Sequence, residues 1–353
     1  MGLTPQYAPD HGLLFPRDIQ AWKKWEHDQH RVRNLKHAVT GSLRPRSPQI
    51  DDNVLLTKGN APKTLVVIDA PTSSQQAALI APANHMDSCV VMCPRSVTPF
   101  LSGQWEEETL TPAHLSALPQ SISTILASGH YLPLGTLAYR FAIHRDLRFC
   151  VVQHGLLTPF MAPLPRGAHA FVFSDNDAEF WLSGRTDVTT QTVSSELLWQ
   201  AAQTPVVTID ESVQPMFLGQ LHGTELGRYY MTRTSYSFCS MNQAIYRPHP
   251  SEKDKVSRAI HAVWQRQGIS IDYSSRPLTE SGHPVVSVFS TGVVEMACRG
   301  IPSWVYAPGA PSWVHSFHSR YNMAQWGESP TAPPSLPTQS PAARIAFLCN
   351  SLN

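Results

Sequence analysis

The sequence lacks the features that mark several classes of protein. Its 353 residues include no apolar run of about 18 residues, so we expect no membrane-spanning helix. Charged residues make up only 15% of the chain and their formal sum is +1, so we expect no nucleic-acid partner. Residues 1–10 have neither the basic nor the apolar part of a signal peptide, which favours a cytoplasmic protein.

Cysteine is scarce, and no two cysteines form a CxxC pair. Several of the six lie in apolar runs, as Cys150 does in RFCVV, which predicts buried reduced thiols rather than disulfides or a zinc site. Histidine is frequent, but the best metal-like spacing, His315 with His318, has no third ligand nearby in the sequence. We therefore predict neither a metal nor a cofactor.

Hydrophobic residues make up 42% of the chain, which predicts a packed core, and the length allows two compact domains. Residues 16–40 read as a helix with tryptophans among basic residues. This helix either packs on its own domain, which we favour, or forms a peripheral contact with anionic lipid at the inner face of the membrane.

Strands and helices alternate from residue 64 onward. The apolar runs are continuous rather than alternating, which is typical of strands buried on both faces of a parallel sheet. Strands are predicted within 64–70, 88–94, 148–155 and 168–174, and helices over 132–145 and 175–182.

Residues 184–212 are interpreted as the crossing to a second domain with the same alternation. Its predicted strands are 215–220, 243–250, 269–274, 284–290 and 302–308, and its predicted helices include 252–268 and 291–300. The architecture is therefore α/β, with two doubly wound Rossmann-like domains facing each other across a cleft. The predicted bounds are 1–200 for the N-terminal domain, 201–327 for the C-terminal domain, and 328–353 for a proline-rich linker and final helix.

Two segments of the C-terminal half suit an anionic ligand. Arg247 and His249 each precede a proline where a strand ends, and both side chains can bind phosphate. Ser290, Thr291 and Gly292 open a helix, whose free N–H groups attract an anion, and we expect the glycine to admit the close approach of this anion. The alternatives are a rigid turn for the first segment and an ordinary helix cap for the second.

Four motifs follow one another in this half of the chain. They are FLGQ with Glu225, YRPHPSEKDKV (246–256), DYSSRPLTE (272–280) and SVFSTGVVEMACRGIPS (287–303). Together they resemble the C-terminal domain of bacterial capsule and lipooligosaccharide glycosyltransferases of the GT-B type, especially the sialyltransferase and polysialyltransferase group. The resemblance covers roughly residues 214–308.

The resemblance implies a metal-independent enzyme that takes a sugar from a nucleotide-activated donor, with a CMP-linked acidic sugar favoured. The acceptor it implies is a cell-surface glycan, free or lipid-linked, and the reaction is inverting. The donor-binding residues are Arg247 and His249 at the phosphate, Ser290 and Thr291 at the phosphate or nucleotide, Glu295 near the ribose, and Gly219 and Gln220 on the floor of the cleft.

The N-terminal half resembles the group through Gln153-His154-Gly155, a turn that follows a strand. The Asp/Glu-Asp/Glu-Gly motif that supplies the base in bacterial sialyltransferases does not occur. The candidates for the base are therefore His154, whose ordinary pKa suits neutral pH, and Asp69 at the end of a strand. Alternative functions are a teichoic-acid type phosphotransferase with a CDP-alditol donor, and a catalytically inactive module that binds nucleotide or glycan.

Overall fold

The computed structural model describes residues 8–29, 52–111, 118–204, 213–220, 225–249, 252–274, 276 and 278–351. The chain divides into two compact units. The N-terminal unit comprises Gly12–Leu157, Met161–Trp199 and Pro337–Asn353, and the C-terminal unit comprises Met1–His11, Thr158–Phe160 and Gln200–Leu336.

An eight-stranded sheet forms the centre of the N-terminal unit, in the order β4-β1-β3-β2-β5-β6-β7-β8. The six strands from β3 to β8 in this order are parallel, whereas β1 pairs antiparallel with both of its neighbours, β3 and β4. The strands are β1 Asn53–Lys58, β2 Thr64–Val67, β3 Cys89–Pro94, β4 Glu106–Thr109, β5 Thr124–Ala127, β6 Arg148–Val152, β7 His169–Val172 and β8 Thr189–Thr192.

Both faces of this sheet are covered, as the continuous apolar runs predict. In β2, Leu65 and Val67 pack into one core layer, whereas Val66 and Ile68 pack into the layer on the opposite face. The same division repeats in β5 and β6, because successive side chains of a strand point to opposite faces. The α/β fold class is thereby confirmed.

Helices precede, connect and follow these strands. They are α1 Ile19–Gln29, α2 at 73–85 with a π-helical middle part Gln76–Ile80, α3 Pro133–Arg145, α4 Asp175–Leu182 and α5 Glu196–Gln203. The helix predicted at 175–182 is confirmed, and Ser174 caps it by accepting a hydrogen bond from the backbone N–H of Asp177. Of the helix predicted at 16–40, residues 30–40 lie outside the described residues. In α1 both tryptophans are buried, as the packed alternative requires.

Four strands of this sheet were not predicted, namely β1, β4, β5 and β8. β4 is an exposed edge strand without an apolar run, whereas β5 is apolar and buried but only four residues long. The prediction that 184–212 forms the crossing is wrong for its first part, because β8 pairs in parallel with β7. β8 is polar because it is the other edge of the sheet, where strands are not buried on both faces.

The C-terminal unit contains a four-stranded parallel sheet in the order β10-β9-β11-β12. The strands are β9 Met216–Leu218, β10 Ile245–Arg247, β11 Val285–Ser287 and β12 Ser303–Val305. The helices are α6 Arg228–Asn242, α7 Lys255–Arg266, α8 Thr291–Cys298 and α9 Ser312–Arg320. The strand predicted at 269–274 is wrong, since it contributes one bridge, from Ile271 to Tyr246.

Gly268 and Gly300 both adopt a left-handed backbone at the ends of helices, where glycine is the favoured residue. After the proline-rich segment 328–341, the last helix, α10 Pro341–Ser351, belongs to the N-terminal unit. There, Glu196 accepts hydrogen bonds from the Ser340 hydroxyl and the Ala342 N–H at the start of α10. All six cysteines are free thiols, five of them buried. None of the helices within the described ranges is long and apolar enough to cross a membrane.

Candidate functional site

The C-terminal sheet has a topological switch point between β9 and β11. The chain passes from β9 to β10 on one side, and then returns past β9 to continue through β11 and β12 on the other. Open parallel sheets bind ligands beside such a point, outside the carboxyl ends of the strands. The predicted residues Gly219 and Gln220 follow β9, His249 follows β10, and Ser290 follows β11. The fold therefore brings all of these segments to the same edge of one sheet.

Hydrogen bonds connect these segments directly. The side-chain oxygen of Gln220 accepts from the backbone N–H of Phe289 at 2.9 Å, which joins the loops on either side of the switch point. The backbone N–H of Gly219 donates to the carbonyl of Arg247 at 2.7 Å, which joins the exits of β9 and β10. The three loops thus form one connected structure.

Gly219 lies where no side chain fits. A Cβ atom there would stand 2.5 Å from the Tyr246 hydroxyl oxygen, 2.7 Å from Oε1 of Glu252 and 3.0 Å from the backbone nitrogen of His249. Real Cβ atoms do not approach other atoms this closely. The glycine is therefore required by the packing of two neighbouring loops.

Ser290 is the N-cap of α8, and its hydroxyl accepts from the backbone N–H of Gly292 at 3.1 Å. Its own N–H donates to the hydroxyl of Ser287. The space beside Gly292 is filled by protein side chains, because a Cβ atom there would stand 2.9 Å from a Leu218 methyl and 3.1 Å from a Leu278 methyl. The expectation that this glycine admits an anion is therefore not supported by its surroundings, whereas the helix N-terminus itself remains an anion-attracting feature.

Arg247 is held by its neighbours. Its guanidinium lies 3.6 Å from the carboxylate of Asp272 and donates a hydrogen bond to the Arg276 carbonyl. Burial raises the pKa of Asp272, but hydrogen bonds from Ser274 and the charge of Arg247 outweigh burial and hold this pKa below its usual value. Asp272 is thus a carboxylate, and Arg247 has a charged partner within the protein.

His249 is placed by a residue that the sequence analysis did not single out, Glu252. The backbone N–H of His249 donates to Oε1 of Glu252 at 3.1 Å, and the N–H of Glu252 donates back to the carbonyl of His249 at 2.8 Å. Glu252 belongs to the YRPHPSEKDKV motif, but a lone acid among charged residues carries no local signal of burial. Its side chain is only 3% exposed.

Two carboxyl groups of this unit, unlike that of Asp272, have a raised pKa. Glu295, in α8, has a pKa raised by burial, and the charge of Arg299 partly opposes this effect. Burial raises the pKa of Glu225 to about 6, although the hydroxyl of Thr158 donates to it at 2.5 Å. Both residues belong to the motifs that carried the resemblance.

The N-terminal sheet has a switch point of its own, between β2 and β5. Asp69 follows β2, Tyr131 follows β5, and His154 follows β6, the next strand. The two candidate bases thus lie at the same edge of one sheet. Tyr131 lies in the loop after β5, the strand between β2 and β6. Tyr131 was not predicted, because the short strand β5 before it was missed.

Asp69 is engaged with the backbone of its own unit. Its carboxylate accepts a hydrogen bond from the N–H of Leu134 at 2.9 Å, at the start of α3. Burial raises the pKa of Asp69, and the N–H groups of Leu134 and Gly135 partly offset this effect. A carboxylate at a helix N-terminus is a stabilising arrangement that needs no ligand.

His154 lies in a turn that its neighbour Gln153 holds. The Gln153 amide donates to the Gly155 carbonyl at 3.0 Å and accepts from the Phe173 N–H at 2.9 Å. The imidazole Nε2 of His154 lies 3.5 Å from the Tyr131 hydroxyl. Burial lowers the pKa of His154, with partial opposition from the Val152 carbonyl, so the imidazole is neutral at pH 7.

Among the described residues, no group of three or more His, Cys, Asp or Glu side chains could hold a metal ion. His318 of the HSFH segment is buried instead. Its Nε2 bonds to the Val288 carbonyl at 2.6 Å and its Nδ1 lies 3.1 Å from the Gln325 amide nitrogen. Both ring nitrogens therefore have partners within the protein.

No family model matches the chain, and no curated protein matches it. Several solved structures are similar in fold. UDP-GlcNAc 2-epimerase from Methanocaldococcus jannaschii is 10% identical with a TM-score of 0.46, over 82% of this chain and 100% of that chain. A point mutant of Thermobaculum terrenum O-GlcNAc transferase is 11% identical with a TM-score of 0.44, over 84% of this chain and 62% of that chain. The pneumococcal O-GlcNAc transferase GtfA, in complex with UDP and GlcNAc, is 12% identical with a TM-score of 0.38, over 67% and 52%.

Proposed function

We propose that this protein is a metal-independent GT-B glycosyltransferase that binds a nucleotide-activated sugar in its C-terminal unit. The observation that carries the proposal is the junction of Gly219-Gln220, the His249 loop and Ser290 at one switch point, joined by the Gln220–Phe289 hydrogen bond. An open parallel sheet offers a ligand its backbone N–H groups and a helix N-terminus at this place.

The proposed donor site stabilises the charge that grows on the departing phosphate. The N-terminus of α8 supplies a fixed positive potential there, and His249 and Arg247 supply hydrogen-bond donors. Ser290 and Thr291 stand at the same helix end, Glu295 is placed one turn further for the ribose, and Gly219 and Gln220 form the floor. Because cationic groups and helix N–H groups meet the charge, the reaction needs no metal.

The acceptor hydroxyl is proposed to lose its proton to His154. Its neutral imidazole can accept a proton at pH 7, and the Tyr131 hydroxyl lies beside Nε2. In a single displacement, the acceptor oxygen bonds to the anomeric carbon while the bond from this carbon to the phosphate oxygen breaks, which inverts the configuration. Asp69 is the second candidate for the base, although its carboxylate already accepts from the start of α3.

The donor and the acceptor, a CMP-linked acidic sugar and a cell-surface glycan, rest on the motif resemblance alone. We also propose a cytoplasmic protein, with a peripheral contact between the basic residues of the N-terminal segment and the inner face of the membrane as the alternative to packing of that segment on its own unit. A role in capsule or cell-wall polysaccharide biosynthesis follows from the same resemblance.

A thermal-shift panel of CMP, CDP, UDP and GDP, each with magnesium and with EDTA, tests the proposal. A ligand that binds only the folded protein raises the melting temperature by mass action, so at least one nucleotide should raise it equally under both conditions. A shift that needs magnesium would contradict the metal-free mechanism. The absence of any shift at millimolar nucleotide would contradict the donor site itself.

Turnover assays separate the proposal from its rivals. With CMP-linked acidic sugar and CDP-glycerol offered in parallel, preference for CDP-glycerol would favour the phosphotransferase alternative. If a nucleotide binds but stoichiometric enzyme hydrolyses neither donor, the inactive binding module is the better description.

A further inference from the structure

Glu252 is a buried carboxylate in the wall of the proposed donor site, and three groups converge on it. The Tyr246 hydroxyl donates to it at 3.0 Å, the backbone N–H of His249 donates to it at 3.1 Å, and Nε2 of His261 lies 3.4 Å away. These partners come from strand β10, from the loop after it, and from helix α7. The Glu252 carboxylate thus connects β10, the loop after it and α7, which follow one another in the chain.

The loop is also closed on itself at this point. The N–H of Glu252 donates to the carbonyl of His249, so residues 249 and 252 are joined by two hydrogen bonds in opposite directions. Asp254 begins α7 directly afterwards, accepting from the N–H groups of Val256 and Ser257. The backbone of His249 therefore has a fixed position relative to the helix that follows.

The carboxylate also fixes the neighbouring loop. Oε1 of Glu252 would stand 2.7 Å from a Cβ atom on Gly219, and the Gly219 N–H donates to the Arg247 carbonyl. Glu252 thus packs against the exit of β9, while a backbone hydrogen bond joins the exits of β9 and β10. A smaller side chain at position 252 leaves a gap between the two loops that are proposed to hold the donor.

We infer that Glu252 is a positioning residue for the nucleotide donor, which it holds through the backbones of His249 and Gly219. This inference rests on the proposed function. A carboxylate suits the role because both of its oxygens accept hydrogen bonds, and the Tyr246 and His261 side chains beside it are buried with it. A glutamine at position 252 keeps one acceptor oxygen. Its NH₂ group, however, is itself a donor and cannot accept from the donors around it.

The test compares Glu252→Ala and Glu252→Gln with the wild type, by calorimetric titration with CMP and with UDP and by thermal melting. Glu328→Ala is the matched control, because the Glu328 carboxylate also accepts a backbone N–H, from Gln325, but is exposed and remote in sequence from the donor motifs. For the nucleotide that binds the wild type, the Kd should rise about tenfold in Glu252→Ala, the equivalent of one lost charge-assisted hydrogen bond. Glu252→Gln should recover part of this affinity, and Glu328→Ala should bind as the wild type does.

Other outcomes would overturn either the positioning role of Glu252 or the proposed function. If the wild type binds one of the nucleotides and both Glu252 variants bind it equally well, the positioning role is wrong, whatever their melting temperatures. If Glu252→Ala does not fold, Glu252→Gln decides alone, and a Kd within measurement error of the wild type overturns the inference. If the wild type binds neither nucleotide while the four-nucleotide panel is also negative, the proposed function fails first.

Discussion

The side-chain oxygen of Gln220 accepts a hydrogen bond from the backbone N–H of Phe289, across the switch point of the C-terminal sheet. At the carboxyl edge of the N-terminal sheet, two glutamines likewise accept from backbone N–H groups of the strand exits. Gln75 accepts from the N–H of Asp69, and Gln153 accepts from the N–H of Phe173. In both units, therefore, glutamine side chains fix the loops that carry the candidate site residues.

We predict that Gln220→Leu destabilises the protein, because it leaves the Phe289 N–H without its acceptor. The cost should be about 1–3 kcal/mol in the free energy of unfolding, measured by urea denaturation. Gln220→Glu keeps an acceptor oxygen of the same reach and is the matched control. Equal destabilisation in the two variants would show that the hydrogen bond to Phe289 is not what makes Gln220 important.

His249→Ala should weaken nucleotide binding and leave the fold intact. A hydrogen bond to a charged phosphate contributes about 1.5–3 kcal/mol, so the Kd should rise about ten- to a hundredfold. The loop itself should persist, because Glu252 holds it through the backbone of residue 249, which alanine retains. A sharp fall in melting temperature with unchanged nucleotide affinity would instead identify His249 as part of a rigid turn.

His154→Ala should lower turnover by about a hundred- to ten-thousandfold and leave nucleotide affinity nearly unchanged, since a general base acts in the transition state. Asp69→Asn tests the other candidate in the same assay. Asp69→Asn keeps an oxygen that can accept from the Leu134 N–H, so a large loss of activity in a stable variant would transfer the base role to Asp69. Near wild-type turnover in both variants would exclude both residues as the base.

The pH dependence of turnover follows from the lowered pKa of His154. Burial holds this pKa below the ordinary value of about 6.5, so the imidazole stays neutral, and able to accept a proton, down to a pH below about 6.5. The acid limb of kcat/KM should therefore begin below pH 6.5. An acid limb centred above pH 7 would contradict the assignment.

His318 should make the protein less stable in acid. Burial lowers its pKa to about 4, with the Val288 carbonyl partly opposing this effect, whereas the unfolded chain has a value near 6.5. The unfolded state therefore binds a proton first as the pH falls, so stability is complete above about pH 6.5 and is lost progressively toward pH 4. The loss is at most about 3 kcal/mol from this residue.

Urea unfolding between pH 7.5 and 4 measures this effect in the wild type and in His318→Gln. Glutamine can still donate to the Val288 carbonyl but does not titrate. The variant should lose less stability over this pH range than the wild type. Parallel curves for the two proteins would mean that His318 makes no contribution to the acid sensitivity.

The sequence determined the features that depend on local order. Continuous apolar runs such as TLVV and RFCVV predict strands buried on both faces of a sheet. A helix-capping residue such as Ser174 indicates where the helix after a strand begins, here α4. A strand–loop–helix order also determines that Gly219, His249 and Ser290 stand at the carboxyl edges of their strands, because parallel strands all point the same way.

Only the tertiary structure decided which loops meet. The order of the strands places β9 beside β11 and β2 beside β5, and this order depends on pairings between residues far apart in the chain. It gives Arg247 its partner Asp272, fills the space beside Gly292 with Leu218 and Leu278, and buries the carboxylate of Glu252 between two loops. None of these contacts has a period or a spacing that local sequence could show, because each is set by packing between separate elements.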